Sequence, residues 1–110
     1  MNFSDIPFGA MVQTIVDTVH PKTIVLFGSR ARGDASLSSD VDFLIVEDHS
    51  FKDERERTRE TMRILWALAK YRIPTDIVLC SGDEKNCWEG TRNHVVARAM
   101  RDGKRLYDRP

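Results

Sequence analysis

The chain is short of cysteine, has no excess of either charge, and contains no long apolar run. Each shortage removes a class of protein. Two cysteines in 110 residues, Cys80 and Cys87, do not make a disulfide framework. Lys plus Arg and Asp plus Glu both number 17, so the formal net charge is zero. A sequence-independent nucleic-acid binder advertises a basic excess, and this chain gives no strong nucleic-acid signal. No stretch approaches the roughly 20 apolar residues of a bilayer span, so no membrane association is expected. Residues 1–11 hold Asp5 and no Lys or Arg, unlike a signal peptide. A cytoplasmic, reduced protein is expected, with Cys80 a small buried hydrophobe at the end of an apolar run. There is no repeat, low-complexity tract or linker. The length suits one domain with one core over residues 1–110, without a second lobe.

What is present is an ordered alternation of helical and extended patterns. Met11, Val12, Ile15, Val16 and Val19 recur at helical spacing, with Ser4 or Asp5 as cap and Pro7 in the opening turn. His20-Pro21 ends that helix, because a residue before proline avoids the helical region. The β-branched and aromatic run Thr23 to Phe27 reads as a buried strand that stops at Gly28. A short helical turn is expected near Ser29 or Arg30. Val41 to Val46 reads as a second strand, with Val41, Phe43 and Ile45 on one face and Asp40 and Asp42 on the other.

Ser50-Phe51-Lys52-Asp53 has the form that opens a helix, expected to run to about Tyr71. Met62, Leu65, Trp66 and Ala69, widened by Ile64 and Leu68, give its apolar stripe, with Trp66 in the core. Asp53 to Arg57 is a favourable i, i+4 pair, and Arg55, Arg59 and Arg63 form a solvated row. Pro74 breaks this helix. Thr75 to Cys80 reads as a third strand, Ser81-Gly82-Asp83 as a turn, and residues 92–101 as a last helix capped by Gly103. Leu106 and Tyr107 suit a short terminal strand. The class is α/β, a small mixed sheet flanked by helices.

The chemistry-bearing constellation is Gly28-Ser29, ten positions, then Asp40-Val41-Asp42. Two carboxylates at i, i+2 on a strand project together, roughly 7 Å apart along the chain. They repel unless a cation sits between them, and Mg²⁺ takes carboxylate and phosphate oxygens. Two such ions, about 3.5–4 Å apart, clamp both oxygens of a phosphoryl transfer. The same pair at a strand end is also often simply solvated. Gly28, lacking Cβ, lets a phosphate approach the backbone, and Ser29 adds a hydroxyl and an N–H; alternatively the two make an ordinary turn.

Asp76 is a third carboxylate, inside an apolar strand of the same sheet. There it is a base or cation ligand, or else solvent-facing or paired to an arginine. Arg30 and Arg32 bracket Ala31; a guanidinium pairs with phosphate or with Asp34 or Asp40. His20, His49 and His94 show no ligand spacing, and none is assigned to a metal. Trp88 lies in a polar stretch that suits an exposed contact residue.

Phe27-Gly28-Ser29-Arg30-Ala31-Arg32-Gly33, followed by Ser39-Asp40-Val41-Asp42-Phe43, resembles the minimal nucleotidyltransferases of the DNA polymerase β-like superfamily, whose motif is G-S-x10-D-x-D. The resemblance implies the nucleotidyltransferase fold, with Asp40, Asp42 and Asp76 as the catalytic, Mg²⁺-binding triad holding two ions. It implies that Gly28 and Ser29 hold the triphosphate, with Arg30 beside them as a candidate phosphate contact, and that AMP passes from ATP to an acceptor with release of pyrophosphate. Many small members are antitoxins of HEPN ribonuclease toxins, so the implied acceptor is a toxin tyrosine and the implied partner that toxin. Two alternatives remain beside it: an antitoxin that neutralises by binding alone, and transfer to a small-molecule hydroxyl such as that of an aminoglycoside. Both homo-oligomer and hetero-oligomer are open.

Overall fold

Strands and helices are interspersed along the chain in the computed structural model, which describes residues 6–28, 31, 40–89 and 95–109, leaving out the side chains of 86–89. The order is α1 (Phe8–Val19), β1 (Thr23–Phe27), β2 (Val41–Glu47), α2 (Glu54–Leu68), a 3-10 turn (Ala69–Tyr71), β3 (Thr75–Ser81), α3 (Gly82–Glu89), α4 (Val95–Asp102) and β4 (Lys104–Asp108). The strands form one sheet in the order β3-β2-β1-β4. The β1–β2 and β1–β4 pairs are antiparallel and the β2–β3 pair is parallel. The sheet is therefore mixed, as expected. A parallel neighbour needs a crossover, which α2 provides between β2 and β3.

The period-2 alternation of the strands divides the core in two. Ile24 and Leu26 of β1, Val41, Phe43 and Ile45 of β2, and Leu79 of β3 pack with Met11 and Ile15 of α1 and Ile64 and Leu68 of α2. The intervening residues, Val25, Leu44, Val46 and Cys80, pack with Val96 and Ala99 of α4. β1 and β2 are thus covered on both faces, which is why they read as continuous apolar runs. Cys80 is fully buried, and burial pushes its thiol up to about 12, so it stays a neutral hydrophobe.

Local signals set the element ends. His20 takes a left-handed conformation (φ 48°) and its N–H closes on Val16 O, stopping α1 ahead of Pro21. Gly103 donates its N–H to Ala99 O at 2.8 Å after α4. A Cβ there would stand 2.4 Å from Ala99 O and 2.5 Å from Val25 Cγ1, so only glycine lets the chain turn from α4 into β4. The expected terminal strand is present as β4. The caps proposed for the first helix, Ser4 and Asp5, lie outside the described residues.

Three expectations are corrected. Trp66 is 84% exposed and Met62 is 58% exposed. The buried line of α2 is Ile64 and Leu68, and residues two positions away lie about 200° round the helix. The stripe thus centres on Ile64, which turns Met62 and Trp66 outward. The N-cap of α2 is Asp53, whose carboxylate accepts from Glu56 N–H at 2.9 Å. Asp53 is therefore occupied as a cap, and Arg57 pairs with Glu54 and Glu84. Finally, the expected turn at Ser81 opens a helix, α3. Ser81 N–H donates to Glu84 Oε1 and Glu84 N–H donates to Ser81 Oγ, a reciprocal capping box. The S-x-x-E string announces it, and Arg57 fixes Glu84 to α2 while also donating to Leu79 O at 2.8 Å.

Candidate active site

The antiparallel register sets Phe27 opposite Asp42, and the parallel register sets Asp42 opposite Asp76. Asp42 therefore sits mid-sheet, between the end of β1 and the start of β3, with neighbouring strands about 4.8 Å away on each side. Asp40 immediately precedes β2. Asp40 and Asp76 are exposed and Asp42 is half-buried. By strand alternation Asp42 shares its face with Leu44 and Val46, the face that α4 covers. The sheet thus gathers the three carboxylates at the β2 N-terminal end. They are not packed into a tight cluster: among the described residues, the acidic and histidine groups whose ligand atoms all lie within 4.8 Å of one another are Glu47, His49 and Glu60.

Gly28 is the other fixed point. Its φ of 74° lies in the left-handed region, and a Cβ built there would fall 2.3 Å from Asp42 Oδ2. Glycine is required twice over, by conformation and by the approach of the carboxylate. The turn continues with Ala31 N–H donating to Gly28 O at 3.1 Å, and Ala31 is buried. Ser29 and Arg30, read as nucleotide contacts, lie outside the described residues, as do Arg32, Gly33, His94 and the side chain of Trp88.

Beside Gly28 is a cavity of about 230 Å³, lined by Phe27, Gly28, Val95, Arg98, Ala99 and Asp102. It lies between the β1 end and α4, on the same side of the sheet as Asp42. Arg98 and Asp102 were not singled out from the sequence. Their i, i+4 spacing on a helix is the signal, but only the packing of Ala99 on β1 and β2 brings them to the glycine turn. Apolar walls and two charged groups of opposite sign suit a small polar ligand.

Glu47 forms a second, separate constellation. It is 2% exposed at the C-terminal end of β2, and its Oε2 is buried without a hydrogen-bond partner among the described residues. Burial, seconded by the charge of Glu60 and opposed by Arg63, pushes its carboxyl up to about 7. No spacing rule marks it, because Glu60 reaches it from α2 through the fold.

Among the described residues no helix is long and apolar enough to cross a membrane. The sequence profile of the nucleotidyltransferase domain matches residues 11–105. Among solved structures, a toxin–antitoxin complex with AMP-PNP is 20% identical, over 94% of this chain and 75% of that one, with a TM-score of 0.59. A mutant of the toxin–antitoxin MntA-HpeT is 14% identical, over 99% and 75%, with a TM-score of 0.60. A protein assigned as a minimal nucleotidyltransferase is 19% identical, over 94% of both chains, with a TM-score of 0.57. At these identities the likeness is one of fold. No curated protein matches the sequence.

Proposed function

Because the chain belongs to the nucleotidyltransferase domain family, we propose that it is a Mg²⁺-dependent enzyme that moves AMP from ATP to a hydroxyl of a protein acceptor, a tyrosine of a cognate HEPN toxin. The observation that carries this reading is the position of Asp42, in register with Asp76 on one side and against the glycine turn on the other. The donor set suits the ion: three carboxylates and no nitrogen or sulfur, which is hard-cation chemistry. Asp40, Asp42 and Asp76 would hold Mg²⁺, which when bound neutralises the carboxylates and the triphosphate charge.

The chain's own groups do the rest. Gly28 leaves bare backbone where phosphate oxygens approach, and Ser29 and Arg30 donate to them. Asp76, at the exposed start of β3, takes the proton of the acceptor hydroxyl. The acceptor oxygen then bonds to the α-phosphorus, the bond from that phosphorus to the β-phosphate bridge breaks, and pyrophosphate leaves. The cavity under Arg98 is the place for a part of the nucleotide beyond the phosphates. The toxin–antitoxin likenesses, one of them with an ATP analogue, support both the nucleotide and the partner. Such a role places the protein in the cytoplasm.

The test is intact-mass measurement of the protein mixed with Mg²⁺-ATP and the product of its co-expressed neighbouring gene. Gain of one AMP on the neighbour, lost in Asp42→Asn, is the expected result. Absence of any AMP adduct overturns the transfer. Retained transfer in Asp42→Asn overturns the site.

A further inference from the structure

At the far end of β2 from the glycine turn, a buried carboxylate meets a histidine and a second carboxylate. Glu47 ends β2, His49 follows two residues later, and Glu60 stands on α2. One ligand atom from each lies within 4.8 Å of the others. The group is five residues along β2 from Asp42, about 16 Å, and strand alternation puts Glu47 on the opposite face, with Phe43 and Ile45. It is therefore independent of the carboxylates proposed for transfer.

An acidic cluster alone is commonly just solvated. This one differs in that Glu47 is 98% removed from solvent and its Oε2 finds no donor among the described residues. A buried carboxylate oxygen without a partner is costly, and natural structures seldom leave one so. The neighbouring cation does not donate to that oxygen: Arg63 donates from Nη1 to Glu60 Oε1 at 3.1 Å and from Nη2 to Thr18 O at 3.1 Å. That leaves the second oxygen of Glu60 and the unpartnered Oε2 of Glu47. His49 is held at the mouth by an edge-to-face contact with Phe51, centroids 5.3 Å apart. Phe51 is itself under the guanidinium of Arg57, 5.0 Å from its centroid.

We infer that Glu47, His49 and Glu60 form a binding site for one zinc-class divalent cation, which ties the C-terminal end of β2 to α2. Two carboxylates balance the charge of the ion, and the imidazole nitrogen selects a borderline transition metal over Mg²⁺. Ligands at 2.0–2.2 Å in a tetrahedral array stand about 3.4 Å apart. Exposed His49 and half-buried Glu60 close the remaining distance by side-chain rotation, while Glu47 stays fixed in the sheet. The open fourth position takes a water. The role is structural: the ion staples the loop of residues 48–53 to the helix that crosses over to β3.

The experiment is calorimetric titration of the EDTA-stripped, full-length chain with ZnCl2, with Tm read before and after one equivalent. One saturable site per chain and a higher Tm are expected, and an excess of MgCl2 does not displace the zinc. His49→Ala, at an exposed position that folding does not need, and Glu47→Gln, of the same shape, both abolish the site. Asp42→Asn keeps it. No saturable zinc binding by the wild type overturns the inference. So does unchanged binding in His49→Ala and Glu47→Gln, or loss of binding in Asp42→Asn.

Discussion

Replacing Glu47 by Gln separates the pH dependence of this fold from its chemistry. In the folded chain the carboxyl is pushed up to about 7 from an ordinary 4.5, by burial first and Glu60 second. Between these values the folded state holds a proton that the unfolded chain has released. Stability therefore falls as pH rises across that interval, and levels off above about 7. At about 1.4 kcal/mol per pH unit, the full interval corresponds to about 3 kcal/mol, most of it between pH 5 and pH 8. Gln has the same shape and never ionises. Urea unfolding of both proteins in EDTA, at pH 5 and pH 8 and constant ionic strength, isolates Glu47 and the groups coupled to it, because titrating groups remote from Glu47 cancel in the difference. The variant should gain about 2 to 3 kcal/mol on the wild type between the two pH values. Glu60→Gln should shrink the wild-type slope without abolishing it. A difference that is flat with pH, or that favours the wild type at pH 8, refutes the placing of Glu47 in a dry site where burial and Glu60 outweigh Arg63.

Other outcomes follow from the same geometry. Gly28→Ala forces a Cβ onto Asp42 Oδ2 and a left-handed alanine, so it should cost about 1–2 kcal/mol in urea unfolding and eliminate AMP transfer. Arg57→Met should lose about 1–3 kcal/mol, since it removes the donor to Leu79 O and the guanidinium paired to Glu84. The Arg57 hydrogen bond holds the Glu84 carboxyl below its usual range, so the pair stabilises above the ordinary carboxyl pKa and fails as pH falls below it. Acid unfolding of Arg57→Met should lack that component. Ile64→Ala should lose about 2–5 kcal/mol, whereas Trp66→Ser should change stability by no more than about 0.5 kcal/mol. Equal losses at the two positions would mean that α2 packs by a different face.

The strands and the acidic pair could be read from the chain because their signals are local. A run such as Ile24 to Phe27 is apolar on every residue only when both sheet faces are covered, and both are. Asp40 and Asp42 announce themselves by an i, i+2 interval that any strand converts into one face. Trp66 was misplaced for a matching reason. An amphipathic helix with apolar residues on several sides offers two stripes, and only the partners α1 and β3 choose between them. The capping box of Ser81 and Glu84 is legible in the S-x-x-E string, but Ser81-Gly82-Asp83 also reads as a turn.

Sequence by itself determined the order of elements, a glycine at the end of the first strand, and the i, i+2 carboxylate pair opening the second, because each depends on residues close in the chain. Tertiary structure decided which strand lies beside which, and so that Asp76 stands next to Asp42. It also decided that Arg98 closes a cavity by Gly28 and that Glu60 meets Glu47. Those meetings depend on how whole elements pack to remove apolar surface from water, and that sum is made over the entire core rather than at any one position.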